Sequence, residues 1–192
     1  MKTENTEKKF DELGGVKPVR GQIFSPLEED EILKIEKIVG ANLPEPYRSL
    51  LAKFGSWSFE EFISFPYSNV TMMQVMKGQS FDLNKRNFLA YMYGSKEDDT
   101  YSLERAIKTY KERMPETIIP IGDDGGGNKV CLGLNGAEKG KVFYWDHDSE
   151  WDEDDYLEEE GEPMPPEVKF QNVYLVANSF EEFLNQLRVE EI

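Results

Sequence analysis

The chain has 192 residues, with 38 Asp and Glu against 22 Lys and Arg, for a formal net charge of −16 at neutral pH. That surplus argues against nucleic acid or an anionic membrane as partner and for solubility or a basic partner. The length suits a single domain with a real core, and 12 Phe, 9 Tyr and 3 Trp supply the apolar bulk for it. No apolar run approaches the ~20 residues that span a bilayer, and the opening MKTENTEKKF lacks the apolar core of a signal peptide. The expected location is therefore the cytoplasm, and the lone Cys131, which has no internal disulfide partner, fits a reducing compartment.

In chain order, residues 1–24 are polar and interrupted by Gly14, Gly15 and Pro18, so an extended or partly ordered arm is expected ahead of a domain over 25–192. Ser25-Pro26-Leu27-Glu28 has the form of a capping box, and Ile32, Ile35, Ile38 and Val39 follow at helical spacing up to Gly40. A second helix is expected from the region of Pro46, with Tyr47, Leu50, Leu51 and Phe54 on one face and Gly55 as its stop. Phe59 to Pro66 is expected to be a strand. Met72, Met73, Val75 and Met76 suggest a short helix that fills core, while Phe81 to Tyr93 fits a helix or an edge strand. After the acidic Glu97-Asp98-Asp99, the spacing of Leu103, Ile107 and Tyr110 predicts a helix ending near Met114-Pro115.

The stretch Ile118 to Asp148 predicts a three-stranded meander. Ile118 to Ile121 is apolar, and the Asp123-Asp124-Gly125-Gly126-Gly127-Asn128 cluster that follows favours a turn. Val130, Leu132 and Leu134 alternate with Lys129, Cys131 and Gly133, the pattern of a half-buried strand, and Val142 to Trp145 supplies the third strand after Asn135-Gly136. Residues 150–162 are then almost wholly acidic up to Pro163. Val173 to Val176 predicts a last strand, and Ser179-Phe180-Glu181-Glu182 opens a last helix. The order gives an α+β fold: a largely antiparallel sheet with a central β-meander, helices grouped on one side, in a single domain.

Catalytic patterns are weak. His147 is the sole histidine, and pairing it with Cys131 would require a thiol from a core strand to reach solvent. Asp146-x-Asp148-x-Glu150 starts like a calcium loop, but Trp151 stands where that loop needs glycine. The glycines at 125–127 precede a strand, so they are no phosphate loop. Asp123, Asp124, Asp146 and Asp148 could converge on a divalent cation, which leaves a metal-dependent hydrolase as one alternative; turn formation accounts for them more simply.

Leu43-Pro44-x-x-Tyr47 with Phe54-Gly55, Ile119-Pro120-Ile121-Gly122-Asp123 with Gly127-Asn128, Cys131-Leu132, Trp145-Asp146-His147-Asp148 and the terminal Ala177-Asn178-Ser179-Phe180-Glu181-Glu182-Phe183-Leu184 occur together and in order. In this combination the chain resembles the SUKH superfamily, which contains the Smi/Knr-type domain and many bacterial immunity proteins, over about residues 25–190. Ser56-Trp57 departs from the Asn-Gly-Gly turn of many members, and 67–100 is longer than in a minimal one. The resemblance implies a non-enzymatic protein without a cofactor that binds a cognate toxin domain, often a nuclease; a regulatory or scaffold module is the other role it allows. A nuclease toxin is basic around its groove. The candidate partner-binding residues are accordingly Asp148, Glu150, Trp151, Asp152, Glu153, Asp154, Asp155 and Tyr156, with Trp151 and Tyr156 as aromatic anchors among steering charges.

Overall fold

The β-branched runs of the meander form the centre of the molecule in a computed structural model that describes residues 3–19, 23–96 and 99–191. In chain order the elements are α1 (Thr3–Glu12), β1 (Val16–Pro18), α2 (Glu29–Val39), α3 (Glu45–Phe54), β2 (Trp57–Phe59), β3 (Ile63–Tyr67), α4 (Met72–Met76), β4 (Lys85–Leu89) and β5 (Tyr91–Met92). They continue with α5 (Leu103–Tyr110), β6 (Ile118–Asp123), β7 (Lys129–Gly133), β8 (Val142–Trp145), α6 (Glu153–Glu160), β9 (Val173–Ala177), α7 (Phe180–Gln186) and β10 (Arg188–Val189). An antiparallel sheet runs β1-β2-β5-β6-β7-β8-β9, and a second, three-stranded one runs β10-β3-β4. This is the expected α+β architecture around a meander.

Alternation along the strands sorts the core into two clusters. Val130, Leu132, Val142 and Tyr144 face the main one, where α1, α2, α3, α5 and α7 bring Phe10, Ile32, Leu51, Leu103 and Phe183, and the small sheet brings Ile63 and Phe65. Cys131, Phe143 and Trp145 face the other, with Met72, Met114 and Val173. The middle strands are thus buried on both faces, where alternation had suggested one. The second face is covered by α4 and the 3-10 turn Pro166–Phe170, through Met72, Val75 and Phe170. Met72 is core, as expected, whereas Met76 stays exposed.

Three further expectations change and one open alternative is decided. Where an arm is expected over 1–24, the described residues 3–19 pack on the domain: Phe10 and Leu13 are each 3% exposed, the Phe10 ring lies 5.1 Å from Trp57, and β1 pairs with β2. Burial of those two side chains gives the segment a fixed place that its polar composition hides. Ser25 does not cap α2. The Leu27 amide donates to the Leu51 carbonyl at 3.0 Å, tying 25–27 to α3, so the capping box is Glu28 with Glu31 instead, and Gly40 ends the helix in the left-handed conformation at φ 67°. Phe59 to Pro66 divides into β2 and β3 in different sheets, separated by exposed Glu60, Glu61 and Phe62. Phe81 to Tyr93 resolves as β4 and β5, with β4 at a sheet edge. Of the acidic Glu97-Asp98-Asp99, the first two lie outside the described residues.

Candidate partner-binding site

Within the acid-rich stretch, Glu153–Glu160 forms the helix α6. Asp152 caps α6, its Oδ1 accepting the amides of Asp154 at 2.8 Å and Asp155 at 3.4 Å. Carboxylates at a helix start satisfy unpaired N–H groups and face the positive end of the dipole, so Asp152-Glu153-Asp154-Asp155 starts a helix despite its charge. No residue of α6 is buried, and the described attachments lie at its N-terminal side. Arg113 Nε donates to both oxygens of Glu150, at 3.0 and 3.1 Å, with its guanidinium over the rings of Tyr110 at 5.0 Å and Trp145 at 5.2 Å. The bond to Glu150 raises the Arg113 pKa above its ordinary value, against the opposing effect of burial. Lys169 pairs with Glu153 at 2.9 Å and also donates to the Glu112 carbonyl.

Around these contacts lies an open groove of about 580 Å³, walled among others by Arg113, His147, Glu150, Trp151, Asp154 and Lys169. Charges of both signs line it, which suits the side chains of another protein better than an apolar small molecule. Trp151 and Tyr156, both half-buried, meet edge to face with ring centroids 5.5 Å apart. Of the predicted residues, Glu150 and Glu153 are thus tied down by Arg113 and Lys169, Asp152 is a cap, and Asp154 and Asp155 are exposed. Asp148 stands exposed with its carboxylate 3.2 Å from His147 Nε2. Arg113 and Lys169 were missed, because each reaches the groove from a different part of the chain and carries no local mark of its partner; His147, beside Asp148, is weighed only as a catalytic residue.

His147 is fixed by the glycine-rich turn. Asn128 Oδ1 accepts the His147 amide at 2.9 Å and lies 2.8 Å from its Nδ1. Gly127, at φ 108°, lets the turn run against the ring: a Cβ there would sit 2.9 Å from His147 Cε1.

The same turn engages the carboxylates of the hydrolase alternative. Asp123 is buried, pairs with Lys129 at 2.9 Å, and accepts the Tyr93 hydroxyl at 2.9 Å and the Gly125 amide at 2.7 Å. Asp124 accepts from the Gly126 amide at 2.8 Å and from the Asn128 and Asn87 side chains at 2.6 and 2.9 Å. Among the described residues, the acid and histidine donors that lie within 4.8 Å of one another are Asp146, His147 and Asp148. Asp123 and Asp124 are not in that group, so the four carboxylates do not form a common ligand set. Cys131 is fully buried, and desolvation pushes its thiol pKa far up, so it offers no thiolate to His147.

No helix among the described residues is long and apolar enough to cross a membrane. The family model described as SMI1 / KNR4 family (SUKH-1) matches residues 26–186. The chain is also 29% identical over 171 residues, 85% of its own length and 76% of the relative's, to the SPbeta prophage-derived uncharacterized protein YokK of Bacillus subtilis strain 168.

Proposed function

Because the chain belongs to the SMI1/KNR4 family (SUKH-1), we propose that it is a non-enzymatic immunity protein, which binds a cognate toxin domain and neutralises it through the acidic surface of α6. The toxin domain is a basic one, a nuclease, and the block is steric and electrostatic: the acids occupy the positive surface that would otherwise hold nucleic acid.

One observation carries this reading. In α6, Glu158, Glu159 and Glu160 stand at the helix C-terminus, where negative charge opposes the dipole, and Asp154–Glu158 and Asp155–Glu159 are like-charge pairs one turn apart. No residue of the helix is fully buried, and the contacts that offset these costs, Tyr156 on Trp151 and Glu153 with Lys169, lie in its N-terminal half. An exposed element that breaks local rules without a folding benefit fits a binding surface, whose self-repulsion is relieved when a cationic partner arrives. Co-expression with the toxin domain encoded beside the gene tests the reading: rescue of growth together with a co-purifying complex supports it. Neither rescue nor complex, with the chain folded and abundant, would reject it in favour of a regulatory scaffold.

A further inference from the structure

A second surface borders the glycine-rich turn at Asp124. Phe62 and Phe88 are 60% and 47% exposed, and their rings meet edge to face at 6.5 Å. They line a groove of about 580 Å³ whose walls also include Ile63, Leu89, Glu61 and Asp124. Beside it runs β4, the outer strand of the three-stranded sheet.

The register fixes which peptide groups of β4 face away from β3. Pro66 lies opposite Arg86 and has no amide to donate, so Pro66–Arg86 is a non-hydrogen-bonded pair, and by alternation so is Ser64–Phe88. The peptide groups of Arg86 and Phe88 therefore point to the open edge. Consistently, the Phe88 amide donates to the Asn87 side-chain oxygen at 2.8 Å, which stands where the carbonyl of an incoming strand would.

Charge narrows the occupant. Glu60, Glu61 and Asp124 flank the groove against Lys17, which already pairs with Glu60 at 3.2 Å. The basic residues of β4 itself are engaged, Arg86 with Glu190 at 3.2 Å and Lys85 over the rings of Tyr67 and Tyr174. A second copy of a chain with net charge −16 would be repelled, whereas a basic segment would be drawn in.

The geometry points to the β4 edge and the Phe62–Phe88 groove as a docking site for an extended segment of a protein partner, alternately apolar and basic, added to the small sheet as a fourth strand. Main-chain bonds would form to Arg86 and to the Phe88 carbonyl, with the Phe88 amide joining only as the Asn87 side chain, itself held by Asp124 and Tyr144, gives way; apolar side chains would cover the two rings, and basic ones would meet Glu61. The inference rests on the reading that the partner is a basic protein; its test needs no toxin, so the two can fail separately. Asp124 walls this groove and, through Asn128, holds His147 in the other, so one partner could span both.

The test is fluorescence anisotropy of the full chain with a labelled heptapeptide that alternates valine with lysine or arginine. Controls are the same peptide with glutamate for its basic residues and one with prolines in place of alternate residues, which removes amides. We expect the basic peptide to bind, at least about tenfold weaker binding by the Phe62→Ser/Phe88→Ser variant and by the proline peptide, and little change when Asp154, Asp155, Glu158 and Glu159 are neutralised. Both phenylalanines are exposed, so the variant should keep its fold, which circular dichroism checks. The inference is overturned if the basic peptide does not bind, if the serine variant binds it equally, or if neutralising α6 abolishes binding. A dimer in sedimentation that the serine variant loses would also overturn it, in favour of a second copy.

Discussion

Arg113 holds Glu150 through both carboxylate oxygens while its guanidinium lies over the ring of Trp145, a side chain buried in the second core cluster. One arginine therefore links that cluster to the first residue of the acidic stretch. Replacing Arg113 with Ala should free residues 150–162 at modest cost to the whole fold. The Arg113 side chain is 42% exposed, so the ion pair is screened and contributes at most about 1 kcal/mol. The expected result is a small fall in global stability, with much faster amide hydrogen exchange in α6 than in β7. Equal protection of α6 in the two proteins would show that Arg113 does not anchor it.

The Lys129–Asp123 pair is of another kind, since the two side chains are 2% and 9% exposed. Burial is the largest single effect and lowers the Lys129 pKa, but the hydrogen bond and charge of Asp123, with those of Tyr110, together outweigh it and the net shift is upward. Breaking such a pair leaves an uncompensated buried charge. Lys129→Met should cost about 3–5 kcal/mol in urea unfolding, and adding Asp123→Asn should recover part of that. A single-variant loss under about 1 kcal/mol would mean that water reaches the pair.

Stability and binding should move in opposite directions at the end of α6. Lysine at Glu159 and Glu160 would meet the negative end of the dipole and remove like-charge contacts, raising stability by about 0.5–1 kcal/mol. The same variant should bind a basic partner more weakly. Thermal unfolding and affinity measured together check this, and a gain in both would remove the main argument for α6 as an interface.

Glu190 ties β10 to β3 and β4. It accepts from the Ser64 hydroxyl and from Arg188, contacts that hold its carboxyl down to about 2, from an ordinary value of 4.5. A depressed carboxyl contributes stability above its unfolded pKa and loses it as pH falls through the folded one. The difference in Tm between the native chain and Glu190→Gln should therefore be constant near neutral pH and shrink between 4.5 and about 2. A difference that grows on acidification would contradict the assignment.

The meander, α3 and the last helix were legible because their signals are local: alternation in β7, the spacing of Tyr47, Leu50, Leu51 and Phe54, and Ser179 accepting the Glu182 amide at 3.0 Å. What was hidden depends on distant partners. Nothing near Phe10 announces Trp57, and Ser25 is outcompeted as a cap because Leu27 bonds to Leu51. Cys131 is expected in a core strand, but that the second face of β7 is covered follows from α4 and the 166–170 turn arriving on it, which alternation within β7 cannot encode. At the candidate site the acids were visible as composition, but their division into tied Glu150 and Glu153 and exposed Asp154 and Asp155 depends on Arg113 and Lys169.

The most direct test of the central claim is the association rate with the toxin domain across ionic strength, measured by stopped flow. The native chain would be compared with an Asp154→Asn, Asp155→Asn, Glu158→Gln, Glu159→Gln variant, which spares the Asp152 cap and the Glu153–Lys169 pair so that the helix stays formed. The account predicts a native rate that falls steeply with salt, and a variant about tenfold slower at low salt with a flatter dependence. Superimposable curves for the two proteins would contradict it.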